Sequence, residues 1–121
     1  MRRMSTILII DDDPRFRTQA RDLLEADGFI VIGQAVDGAS GIEAAQSLRP
    51  DFVLLDIGLP DVEGFEVAEA LARNRPAPKV VLTSSRDARA YGRRLTDGEQ
   101  LGFIPKERIS GAAIRALADR A

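Results

Sequence analysis

Five side chains in this sequence are of the kinds that together handle a phosphate and a divalent cation: Asp11, Asp12, Asp56, Thr83 and Lys106. Each stands at the end of a short apolar run. Ile7 to Ile10 leads into Asp11-Asp12, Phe52 to Leu55 into Asp56, Val80 to Leu82 into Thr83, and Leu101 to Ile104 into Pro105-Lys106. Three clustered carboxylates repel one another, and a hard divalent cation relieves that repulsion. Oxygen-only ligands suit Mg2+, which keeps several waters and shares a phosphate. The Lys106 ammonium would balance charge and hold a phosphate oxygen, and the Thr83 hydroxyl could donate to another. A carboxylate can itself be the nucleophile and form an acyl phosphate. Positioning and charge neutralisation are most of what phosphoryl transfer requires. Of 17 basic residues only Lys79 and Lys106 are lysines, so a lysine at a strand end is not background.

These residues are useful only if the chain brings the strand ends together. The apolar runs alternate with helical stretches. Asp13-Pro14 reads as an N-cap followed by proline at the first helical position. Phe16, Ala20, Leu23 and Leu24 then share one helical face, and Gly28 ends that helix. A second strand is predicted over residues 29–33 and a second helix over 39–48, stopped by Arg49-Pro50. Residues 58–64 read as a loop from their Gly and Pro content. Val67, Ala68, Leu71 and Ala72 mark a third helix, broken by Pro76 and Pro78. A weaker fourth helix is predicted over 87–95, although it contains Gly92. Ser110 caps the last helix, with Ile109 and Ile114 placed as a hydrophobic staple. The pattern is a strand and a helix five times over. Strands apolar throughout are buried on both faces, which predicts a parallel, doubly wound α/β sheet. In such sheets sites form beyond the carboxyl ends of the strands, where the five residues lie.

The segments ILIIDDDP, VLLDIGLPDVEG, VVLTSS and GFIPKERI, in this order, resemble the four signature segments of the receiver domains of bacterial response regulators. The likeness spans the chain as one domain, 1–121, with a core of about 6–120. It implies a flavodoxin-like (βα)5 fold with strand order 2-1-3-4-5. It implies that Asp56 is the phosphoacceptor and that Asp11, Asp12, Asp56 and the Gly58 backbone carbonyl hold Mg2+. It implies that Lys106 binds a phosphoryl oxygen, and that Thr83 and Phe103 are switch residues. The donor implied is a phosphohistidine on a sensor histidine kinase or histidine phosphotransfer protein. The signalling face implied is the fourth helix, fifth strand and fifth helix, which could also pair two copies or contact an output domain or downstream protein. A receiver of this kind is a regulated phosphoacceptor, not a turnover enzyme, although it catalyses part of its own phosphorylation and dephosphorylation.

Composition narrows the rival readings. The formal charge is −2, from 17 basic and 19 acidic residues, which argues against direct nucleic-acid binding. There is no histidine and no cysteine, so no histidine base, thiolate zinc site or disulfide framework. The basic start Met1-Arg2-Arg3 precedes an apolar run too short for a signal peptide or membrane span, so a cytoplasmic, membrane-free location is expected. Taken singly, Asp13 is a helix cap, Asp11-Asp12 a solvated turn, Thr83 a strand residue and Phe103 part of the core. Arg86, Arg89, Arg93 and Arg94 read as a solvated face, or as a surface for acidic partners. A receiver-fold interaction module that signals without phosphorylation is the alternative function. A nucleotide or flavin enzyme is disfavoured, since three aspartates rather than a Gly-rich loop follow the first strand. Pro105 precedes Lys106 and Glu107 follows it, so no cis-proline is expected after the lysine. Glu99-Gln100, where relatives tend to have small residues, could alter the fourth helix. The chain ends with its fifth helix, so either a stand-alone regulator or a receiver taken from a longer one is expected.

Overall fold

A computed structural model describes residues 4–98 and 100–120. Glu99 and the basic start Met1-Arg2-Arg3, read above from sequence, lie outside the described residues. The chain runs β1 (Thr6–Ile10), α1 (Pro14–Ala26), β2 (Ile30–Ala35), α2 (Gly38–Leu48), β3 (Phe52–Asp56), α3 (Gly64–Leu71), β4 (Lys79–Ser84), α4 (Arg94–Asp97), β5 (Gly102–Pro105) and α5 (Gly111–Arg120). Single 3-10 turns lie at Ala88–Ala90 and Lys106–Arg108. All strand pairs are parallel, in the order β2-β1-β3-β4-β5.

Successive strand residues point to opposite sheet faces, and the two faces build two cores. Leu8, Ile10, Val53, Leu55 and Leu82 pack with Val67 and Leu71 of α3. Ile7, Ile9, Leu54 and Val81 pack with Leu24 of α1 and Ile114 of α5. Burial on both faces is why the central strands read as unbroken apolar runs. The edge strands are less covered. Pro105, which lacks an amide donor, sits on edge strand β5 as expected.

The helix starts are set by short polar side chains. Asp13 Oδ1 accepts from the Arg15 amide at 3.0 Å. Asp37 and Ser40 form a reciprocal capping box on α2. Ser110 Oγ accepts from the Ala113 amide at 3.0 Å, and the staple pair Ile109 and Ile114 is buried. Arg49 closes α2 in the left-handed conformation, φ 49°.

Three expectations need correction. The predicted strand over 29–33 lies at Ile30–Ala35. Register slips between Ile7 and Leu8, whose partners are Val31 and Gly33, so β2 absorbs an extra residue and continues through Gly33. Phe29 instead enters the core edge-on to Phe52, with ring centroids 5.5 Å apart. Leu23 is 40% exposed, so the buried face of α1 is Phe16, Ala20 and Leu24 only. The predicted helix over 87–95 is not continuous. Gly92 takes φ 57° and separates the turn at Ala88–Ala90 from a four-residue α4. No residue of either piece is fully buried, and only Tyr91 and Leu95 of this stretch reach the core, too few to hold a longer helix against the sheet.

Candidate functional site

The parallel sheet delivers the ends of β1, β3, β4 and β5 to one edge. Asp11 follows β1, its amide donating to the Ala35 carbonyl at 3.0 Å, and it is fully buried. Asp11 Oδ1 accepts from the Asp13 amide at 2.9 Å, which fixes the carboxylate plane. Asp12, next in the chain, is exposed. Asp56 closes β3 at 6% exposure and is in register with Thr83 of β4. Carboxylate oxygens of Asp11, Asp12 and Asp56 lie within 4.8 Å of one another. Lys106 completes the cluster, with Nζ 2.8 Å from Asp11 Oδ2 and 3.6 Å from Asp56 Oδ2. Asp11 Oδ2 is buried without a well-directed hydrogen bond, so the ammonium is its compensation. The set of hard oxygens, one of them buried and short of hydrogen bonds, fits a small divalent cation.

Gly58 lies against the acceptor carboxylate, its amide donating to Asp56 Oδ1 at 3.1 Å. Thr83 is fully buried but turned away from the cluster: its hydroxyl donates to the Ile104 carbonyl at 2.7 Å. Phe103 is partly buried, its ring centroid 6.3 Å from that of Tyr91. The structure therefore gathers Asp11, Asp12, Asp56 and Lys106 at once, places Gly58 beside Asp56, sets Thr83 in register with Asp56 with its hydroxyl on the Ile104 carbonyl, and packs Phe103 beside Tyr91.

Burial pushes the Asp56 carboxyl above its ordinary 3.8, and the Asp11 and Asp12 charges act in the same direction. The Gly58 amide and Lys106 oppose this without cancelling it. Burial works against the Lys106 ammonium, yet its bond to Asp11 and the Asp56, Asp11 and Asp13 charges outweigh burial and raise its pKa. A raised carboxyl pKa makes ionisation a cost to the folded state. That cost is complete above the folded pKa and vanishes as pH falls through it toward 3.8. Asp56→Asn should therefore raise the thermal midpoint at pH 7 in metal-free buffer, with the gain over the parent shrinking toward pH 4. Parallel melts across pH check this, and a variant less stable than its parent at pH 7 refutes it.

Sequence reasoning missed several supports. Arg17 Nη1 donates to the Asp11 carbonyl at 2.8 Å, and its Nε donates to Gln34 Oε1 at 3.1 Å, tying the β1 and β2 ends together. Phe16, read as core, also lies under Lys106 Nζ, 4.5 Å from its ring centroid. Gly64 packs so tightly that a Cβ there would stand 2.5 Å from the Asp56 carbonyl oxygen and 2.8 Å from Ile57 Cα. Asp61 accepts from the Gly38 and Ala39 amides at 2.8 and 3.0 Å, pinning the loop after β3 to the start of α2. Only Arg17 carried a sequence signal, one turn along α1 from the Asp13 cap.

Comparison with known proteins agrees with the fold. The family model described as the response regulator receiver domain matches residues 7–118. The DNA-binding transcriptional activator EvgA of Escherichia coli (strain K12) is 27% identical over 110 residues, 91% of this chain and 54% of that protein. Protein-glutamate methylesterase/protein-glutamine glutaminase 6 of Anaeromyxobacter dehalogenans is 37% identical over 113 residues, 93% of this chain and 32% of that protein. Among solved structures, the signal receiver domain of NarL from Mycobacterium tuberculosis superposes with a TM-score of 0.86 at 28% identity, covering 98% of this chain and 97% of that one. The chain spans about half the length of EvgA and about a third of the methylesterase.

Proposed function

Because the chain belongs to the response regulator receiver domain family of two-component signalling, we propose that Asp56 accepts a phosphoryl group from a phosphohistidine on a sensor kinase or phosphotransfer protein. The observation that carries the proposal is the seating of one ammonium against two buried carboxylates beside a third, at the end of the sheet. An Asp56 oxygen attacks phosphorus, the new P–O bond forms as the P–N bond breaks, and the imidazole leaves with the partner. Asp11, Asp12, Asp56 and the Gly58 carbonyl would hold Mg2+. When bound, the ion neutralises the carboxylates and the charge on the transferring phosphoryl oxygens.

Lys106 then pairs with a phosphoryl oxygen, a short shift from its present 3.6 Å contact with Asp56. Thr83 engages another by giving up its bond to the Ile104 carbonyl. Trading one hydrogen bond for another gives the β4 end two stable positions, the requirement for a switch. The reading extends to a cytoplasmic protein whose α4, β5 and α5 face signals by contact with an output segment, a separate protein or a second copy. Nucleic-acid contact, as in the DNA-binding relative, would belong to an output segment, since this chain has a formal charge of −2. Among the described residues no helix is long and apolar enough to cross a membrane.

Intact mass after incubation with Mg2+ and acetyl phosphate tests the reading. The expected result is a gain of about 80 Da, one phosphoryl group, absent when the metal is chelated and absent in Asp56→Asn. No gain, repeated with a broad-specificity kinase, favours an interaction module that signals without phosphorylation.

A further inference from the structure

Ser84 follows the switch residue Thr83, is 4% exposed, and places its Oγ 2.7 Å from the Tyr91 hydroxyl. The same Oγ accepts from the Arg86 amide at 3.0 Å. The Tyr91 ring lies between Phe65 of α3, with centroids 5.8 Å apart, and Phe103 of β5, at 6.3 Å. Tyr91 thus spans the phosphorylation-side end of β4, the start of α3 and the edge strand. In the same segment Leu95 packs against the core from a partly buried position, and the Gln100 side chain donates to the Arg94 and Leu95 carbonyls at 2.8 Å. Neither the turn at Ala88–Ala90 nor α4 contains a buried residue. The Arg94 guanidinium grips Glu63 at 2.8 and 3.2 Å and lies over the Phe65 ring, but the pair is half exposed, and such pairs add little stability.

We propose that Tyr91 is the positioning residue that carries the phosphorylation signal from β4 to α4, through its hydroxyl contact with Ser84. This rests on the phosphorylation reading above and deepens it. When Thr83 leaves the Ile104 carbonyl for the phosphoryl group, the adjoining Ser84 moves with the strand end. Tyr91 then loses its polar partner, and its ring leaves the slot between Phe65 and Phe103. Phe103, on the other side of the Tyr91 ring, has no hydroxyl with which to bond Ser84. A phenol bonded to the moving residue can hold two positions, each with its own hydrogen-bond set.

The chain contains one tyrosine and no tryptophan, so tyrosine emission reports on Tyr91 alone. Emission and intact mass are to be followed in the same sample of the full chain with Mg2+ and acetyl phosphate. The expected result is an emission change that rises in proportion to the phosphorylated fraction. In Ser84→Ala, which removes the hydroxyl partner while leaving the acceptor in place, phosphoryl uptake persists and the emission change is lost. Phosphoryl uptake with unchanged emission overturns the proposal and leaves the phosphorylation reading standing. An equal emission change in Ser84→Ala also overturns it, since the signal then bypasses Ser84. Absence of any mass gain removes the phosphorylation reading and this coupling with it.

Discussion

Lys106→Met should lower phosphoryl uptake by about a hundredfold or more, the loss seen when one preorganised group is removed from a site where charge develops. Methionine keeps the length and much of the packing of the side chain, so the change isolates the charge. The same substitution leaves Asp11 Oδ2 buried with no well-directed hydrogen bond and no ammonium. Removing one partner of a buried ion pair costs roughly 3 kcal/mol or more. In the parent the Asp11 side chain is 1% exposed and that of Lys106 18%, so solvent can do little to compensate. The loss should be greatest in metal-free buffer at neutral pH and should shrink as pH falls and Asp56, whose pKa is already raised by burial, takes up a proton. Denaturant titrations with and without Mg2+ read the stability, and mass-resolved uptake reads the chemistry. A Lys106→Met protein as stable as its parent in metal-free buffer would show that the ammonium is not what balances the carboxylates.

Gly64→Ala should be the second most damaging change, though glycine 64 has no part in the chemistry. The added methyl would meet the Asp56 carbonyl oxygen and Ile57 Cα, backbone atoms that cannot rotate aside. The Gly64 amide also donates to the Ile57 carbonyl at 2.8 Å, so α3 cannot move off without losing that bond. Overpacking of this kind costs about 1–3 kcal/mol, and here the close atoms are all rigid backbone, which favours the upper end. Because the displaced atoms belong to the acceptor residue, phosphoryl uptake should fall about tenfold or more with no functional group removed. Gly58→Ala is the control. A Cβ at Gly58 would find Asp56 Oδ1 at 3.9 Å, ordinary contact, and the variant should fold like its parent. Equal behaviour of the two variants would mean that the close approach at Gly64 does not position the acceptor.

The contrast between these two glycines shows where sequence reasoning ends. Both lie in the segment read as a loop, and nothing in their neighbours separates them. Their difference arises from α3 folding back onto the end of β3, a contact visible only in three dimensions. The strand-end residues were legible for the opposite reason. Asp11, Asp56 and Lys106 each directly follow or nearly follow an apolar run, and a parallel sheet buried on both faces must bring those ends together. Thr83 was placed correctly in the chain, but its hydroxyl faces Ile104, because a side chain's choice between two acceptors depends on the neighbouring strand. The fourth helix was overread. Its arginines and alanines are good helix formers, but no buried stripe accompanies them and Gly92 turns left-handed. Tyr91 drew no attention, since neither Ser84 nor Tyr91 is unusual until the fold sets their hydroxyls 2.7 Å apart.

On this reading the Asp56 carboxylate itself carries the phosphoryl group. Borohydride reduction of the phosphorylated protein converts an acyl phosphate to the corresponding alcohol, and peptide mapping then locates the modified residue. Homoserine is expected at position 56 and at no other aspartate, only in samples that received both Mg2+ and phosphodonor. Homoserine at Asp11, Asp12 or Asp13 with Asp56 intact would contradict it.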